Sequence, residues 1–260
     1  MAEVFKRLQY VNNVNDIATT QFADIISDFY DDVEIVTNTF SSGTGILEFK
    51  IPKFGNENFK IELNKKINGS AYIYNLNGSY NGVYVNQATF TTNTSSAGQI
   101  NPKYVDMYLT NDGFCFVETT ISGKPHAHIV LLSKGSDNKY YLSGLSSYTG
   151  TSTELQNVRT IELSDTSKEY TLLPLGDLKN YGLFKDGAIE LHKIQIVDDT
   201  QTIVQDSNNQ DVVLTNFFST ITDDIGVYTD IYIPNAGLVT GAVQYQKNTS
   251  WQSRNFMMTC

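Results

Sequence analysis

Two histidines one residue apart are the first pattern in this chain that could do chemistry. His126 and His128 stand in "GKPHAHIVLLSKG", residues 123–135. On a strand, alternate side chains share a face. H-x-H then presents two imidazoles together, as in some catalytic zinc sites. A mononuclear zinc needs a third protein ligand, and the chain has 3 histidines in all. The third, His192 in "ELHKIQI", is placed nearby by nothing in the sequence. The plainer reading ends a strand with His126 and His128 bonded to backbone or to a partner. No metal and no cofactor is therefore the expectation, with His126 and His128 as the metal candidates to check.

The neighbouring strand sharpens that reading. "GFCFVETTI" and "HAHIVLLS" flank "SGKP", a plausible hairpin turn. A loop of Ser122 to Pro125 would set Ile121 against His126 and Thr119 against His128. Both faces of such a hairpin are apolar away from the turn, which makes it a central element.

Other chemistries find less. "SGLSS" and "SSGTG" lack the strand-to-helix elbow of G-x-S-x-G nucleophiles. "GSYNGVYVNQ" lacks the lysine and helix of a phosphate loop. Asp198, Asp199, Asp206 and Asp211 could converge as oxygen ligands for calcium, but their spacing fits no EF-hand. Cys115 and Cys260 make no disulfide framework. The sequons at Asn68, Asn77, Asn93 and Asn248 read as a by-product of an Asn/Ser/Thr-rich composition. Tyrosines are abundant, at 16 against a single tryptophan, and exposed aromatics stack on sugars or anchor interfaces. Tyr140, Tyr141 and Tyr148 in "KYYLSGLSSYTG" are the candidate ligand contacts, against the plain alternative that tyrosines fill sandwich cores.

The elements that must position these residues are mostly strands. One helix is predicted near the N-terminus, where Ile17, Phe22, Ile25, Ile26 and Phe29 recur at helical spacing. Asn15 or Asp16 could cap it, while Asp31 and Asp32 at its end oppose the helix dipole. Neighbours rather than propensity must hold it, and its apolar residues are the predicted interface with another chain. After Val33 the period changes to two, in short β-branched and aromatic runs split by Gly, Asn and Ser turns. The predicted fold class is mainly β, with antiparallel sheets in a sandwich or barrel-like arrangement and one N-terminal α-helix. The predicted organisation is an N-terminal segment with a docking helix (1–32), a larger β-domain (33–150) and a smaller β-region (151–260). The Ser/Thr-rich "SSYTGTSTELQN" is the linker candidate.

Bulk properties narrow the partners. The net charge is −10 with no basic cluster beyond "NKKING", which argues against nucleic acid and anionic membranes. No run has the roughly 18 apolar residues of a membrane helix, and the first residues lack a signal-peptide core. Charged residues are only 18%, so the surface is carried by Asn, Ser, Thr and Gln and suits contacts with proteins or sugars.

In texture, "NDGFCFVETTISGKPHAHIVLLSKGSDNKYYLSG" and "IYIPNAGLVTGAVQYQKNTSWQSRNF" resemble β-rich structural proteins of tailed-bacteriophage virions, of the baseplate, tail-tip or fibre-attachment type. The resemblance rests on no specific motif and carries over no functional residue. It implies a ring or trimer of like chains among other virion proteins, made in the host cytoplasm, with no cofactor and no reaction. A glycan- or receptor-binding β-sandwich module is the alternative, and a metal-dependent hydrolase the third reading.

Overall fold

Period-two alternation builds strands because it gives each one a face to bury, and two such faces build the core here. The computed structural model describes residues 3–9, 17–41, 44–68, 71–86, 102–120, 127–147, 155–173, 188–189, 194–214, 221–222, 231–233, 237–239 and 258–259. The architecture is mainly β with antiparallel pairing and one helix near the N-terminus, the predicted class.

A small sheet runs in sequence order: β2 (Glu34–Ser41), β3 (Thr44–Lys50), β4 (Phe59–Asn68), β5 (Ala71–Tyr80) and β6 (Val83–Asn86). A large sheet has the order β1 (Glu3–Gln9), β7 (Pro102–Thr110), β8 (Gly113–Thr120), β9 (Ala127–Lys134), β10 (Tyr140–Ser147), β11 (Leu155–Glu162), β12 (Asp165–Leu173), β14 (Ile194–Val197), β15 (Val213–Leu214). Short pairings join β13 (Ala188–Ile189) to β16 (Ile221–Thr222), and β17 (Ile231–Ile233) to β18 (Gly237–Val239) and β19 (Met258–Thr259).

β1 was not legible in the sequence, which gives residues 1–32 only a helix; it lies against β7 from Glu3↔Thr110 to Gln9↔Tyr104. The large sheet also runs through the predicted boundary at residue 150. β10 and β11 pair from Tyr141↔Glu162 to Ser147↔Leu155, so the predicted linker joins two neighbouring strands of one sheet.

The inner faces of the two sheets meet over an aromatic core. Phe49 stacks on Phe59 with ring centroids 5.6 Å apart, and Phe114 meets Phe59 edge-on at 5.4 Å. Helix α1 (Ile17–Phe29) closes this core by setting Phe22 edge-on to Phe116 at 5.4 Å. Just past the helix, Tyr30 donates its hydroxyl to the carbonyls of Gly113 (2.6 Å) and Thr110 (2.9 Å), pinning the helix end to the β7–β8 turn. The sheets approach closely at two glycines. A side chain at Gly78 would overlap Val130, and one at Gly144 would overlap the backbone of Val85.

The other face of the large sheet is buried too, because the sheet curls. Gly135, directly after β9, bridges Leu214 in the last strand. Ser136 N donates to Val213 O at 2.8 Å, and Val213 N returns a bond to Ser136 Oγ at 3.1 Å. The strip from β9 to β15 thus comes back on its own first turn. Leu131, Tyr141, Thr160, Leu172, Ile196, Val212 and Leu214 are buried along it.

Candidate functional site

The β8–β9 hairpin forms as predicted, but its register differs by one residue. Thr119 lies opposite Ala127, Glu118 opposite His128, and Val117 opposite Ile129. The predicted pairing of Thr119 with His128 is therefore corrected. Phe114 and Phe116 line up with Leu132 and Val130 on the face that fills the sandwich, and a slip of one residue would break up that set. His128 is in register with Glu118 on one side and Ser146 on the other. His126 and His192 lie outside the described residues. Among the described residues, no three His, Cys, Asp or Glu side chains are grouped to hold a metal ion.

Of the four acids proposed for calcium, Asp198 and Asp206 serve two tandem hairpin turns. Asp198 Oδ1 accepts from Thr200 N (2.9 Å), Thr200 Oγ1 (2.7 Å) and Thr202 N (2.9 Å). Eight residues on, Asp206 Oδ1 accepts from Asn208 N (2.8 Å) and Gln210 N (2.9 Å). Gln201 and Asn209 take the left-handed position in the respective turns, with φ of 63° and 58°. Asp211 accepts from Gln195 Nε2 at 2.9 Å. The Asp198 and Asp206 carboxylates act as turn caps. The hydrogen bonds to Asp198 hold its carboxyl below the usual range.

One constellation of titratable groups was not foreseen. It lies where the curled strip begins, between the β9–β10 turn and the β11–β12 turn. Glu162 is buried, and Lys139 Nζ (3.1 Å) and Tyr170 OH (3.2 Å) both bond its Oε2. Ser164 Oγ donates to Oε1. Tyr141 OH donates to Asp137 Oδ2 at 2.8 Å, and the rings of Tyr141 and Tyr170 meet edge-on at 5.7 Å. Burial by itself would raise the Glu162 pKa, but the donors from Ser164, Lys139 and Tyr170 and the Lys139 charge more than offset it, so the carboxyl sits below its ordinary value. Both tyrosines are pushed well up by burial and by the carboxylates they face. At neutral pH Glu162 is therefore ionised and both phenols are protonated. An acid with a lowered pKa is a poor proton donor. As arranged, the cluster locks two turns together. Register was the missing signal: Tyr141 meets Glu162 only once β10 and β11 are paired across the intervening connection.

The tyrosines and the helix residues are also reassigned. Tyr141 is fully buried in this cluster, and Tyr140 is half-buried with its ring 5.0 Å from Phe54. Tyr141 is thus not exposed to a ligand, and Tyr148 lies outside the described residues. Phe22 and Ile26, predicted to meet another chain, are buried in the chain's own core, with Ile25 and Phe29 packed against it. The side chain of Ile17 lies outside the described residues. An amphipathic helix buries its apolar stripe against the nearest apolar face, and β2 and β3 supply one immediately downstream.

The surface feature that remains is the outer edge of the small sheet. Among the described residues, β2 has a neighbour on one side only, β3. From Ile35 to Ser41 it carries no charge. Val36 is the residue skipped where the β2–β3 register shifts, and at 42% exposure it is the exposed large hydrophobic among the described residues. No helix among them is long and apolar enough to cross a membrane. Compared with known protein families, curated proteins and solved structures, the chain matches none.

Proposed function

We propose that this chain is a structural subunit that works through protein–protein contacts rather than catalysis, as part of the tail, baseplate or fibre attachment of a tailed-bacteriophage particle. The observation that carries the assembly part is the β2 edge. An edge strand that is uncharged from Ile35 to Ser41 and carries an exposed apolar residue is a template for another chain, and a protein that leaves one open gains by having it covered. The low charge fraction agrees, since a surface of Asn, Ser, Thr and Gln suits fixed neighbours. The placement in a phage particle is carried by the textural resemblance of its β-hairpins.

The test is location. An antibody against the purified chain should label intact, density-purified particles at one fixed position in negative-stain images, and the chain should copurify with them. A chain that stays wholly in the soluble fraction, with unlabelled particles, would overturn the proposal.

A further inference from the structure

The edge of β2 adjoins an unusual charge distribution. From Ile17 to Phe49 the chain carries Asp24, Asp28, Asp31, Asp32, Glu34 and Glu48, and no lysine, arginine or histidine. Asp24, Asp28, Asp31, Asp32 and Glu34 are all exposed. Three of them crowd the C-terminal end of α1, where the helix dipole already concentrates negative potential and a cation would be favoured. Asp24 and Asp28 are a like-charge pair at i, i+4. Lys50 offers Glu34 only a loose contact at 3.8 Å. Among the described residues, negative charge is thus gathered at one end of an edge strand that is uncharged from Ile35 to Ser41.

We infer that the β2 edge is the docking site of a basic, extended segment of a partner protein, which adds to the small sheet as a sixth, antiparallel strand. This rests on the reading of the chain as an assembly subunit and names the chemistry of one partner. Strand addition supplies main-chain hydrogen bonds, and alternate side chains supply specificity. Every pairing in this sheet is antiparallel. An added antiparallel strand would bring its C-terminal end to Glu34. The basic residues therefore belong at the C-terminal end of the partner segment, beside Asp28, Asp31 and Asp32. A second copy of this chain fits poorly. Both copies carry a net charge of −10, and pairing β2 with β2 would leave both acidic ends unmatched.

The probe is a fluorescein-labelled peptide, Thr-Val-Thr-Val-Thr-Gly-Lys-Lys-Lys, titrated with the full chain by anisotropy. Its controls carry the lysines at the other end or replace them with glutamate. Binding of the first peptide should weaken at least ten-fold in D28N/D31N/D32N/E34Q, at least ten-fold in Val36→Pro, and steeply with added salt. Val36→Lys, which keeps the backbone donor, is the second edge variant, and circular dichroism confirms folding of each. Equal binding of both lysine peptides, or unchanged binding to both Val36 variants, would overturn strand addition. Self-association of the wild-type chain in the ultracentrifuge, abolished by Val36→Lys, would overturn it in favour of a second copy. Failure of the peptide assay with particles still labelled by the antibody would place the assembly contact elsewhere on the chain.

Discussion

At the scale of residues, Glu162 shows how environment outweighs burial. A buried carboxylate left alone would be pushed toward its neutral form. Here Ser164, Tyr170 and Lys139 hold it ionised, below its ordinary pKa. The sign of its linkage follows. A group whose folded pKa is depressed contributes stability above its unfolded pKa, about 4.3 for glutamate, and loses it as pH falls through the folded value. Glu162→Gln should therefore cost about 1–3 kcal/mol at neutral pH and flatten the fall of Tm between neutral pH and pH 3. Parallel Tm profiles for the two proteins would show that Glu162 is not a source of the acid sensitivity. The side chain of Asn77, in one of the four sequons, is buried in the folded chain. Glu162 could not be anticipated, because "VRTIELS" reads as an ordinary strand until Tyr141 is placed beside it.

At the scale of elements, strands were legible because alternation depends only on neighbours in sequence. Register was not, because it depends on what the opposite sheet must receive. The β8–β9 shift moves no strand boundary, yet it decides which residue His128 faces. Helix α1 has the same lesson. Its stripe correctly announced a docking surface, but the surface it meets is supplied by this chain. Phe22→Ala should accordingly lower the stability of the isolated chain by about 3–5 kcal/mol, measured by urea unfolding at low concentration. A loss seen only when a partner is present would return Phe22 to an interface. Gly144 tests the contact between sheets. β6 is irregular beside it, since the β5–β6 register skips Val85, and the Val85 carbonyl occupies the space a Cβ would need. Gly144→Ala should cost about 1–3 kcal/mol through forced backbone shifts, whereas Gly82→Ala, in an exposed turn with open space around it but a φ of 73°, tests strain without overlap.

At the scale of the whole molecule, the predicted division at residue 150 rests on one Ser/Thr-rich stretch, "SSYTGTSTELQN". Composition could not show that the strands on either side pair, nor that the strip they begin returns to the β9–β10 turn. That closure depends on a few contacts between residues far apart in sequence, which is why no local pattern announces it. Ser136 holds it at both ends, giving its N–H to Val213 and accepting the Val213 N–H on its hydroxyl. It also occupies the second position of a tight turn, closed by Asn138 N donating to Gly135 O at 2.9 Å. Proline suits that position in a type I turn. Ser136→Pro therefore keeps the turn while removing both bonds to Val213. If the curl is a latch that opens on its own, hydrogen exchange should speed up at Val212, Val213 and Leu214 in the variant, while the amides of β3 to β5 keep their protection. If exchange rises equally in β3 to β5, the strip and the sandwich open as one unit, and the burial of Glu162 depends on the whole fold rather than on the latch.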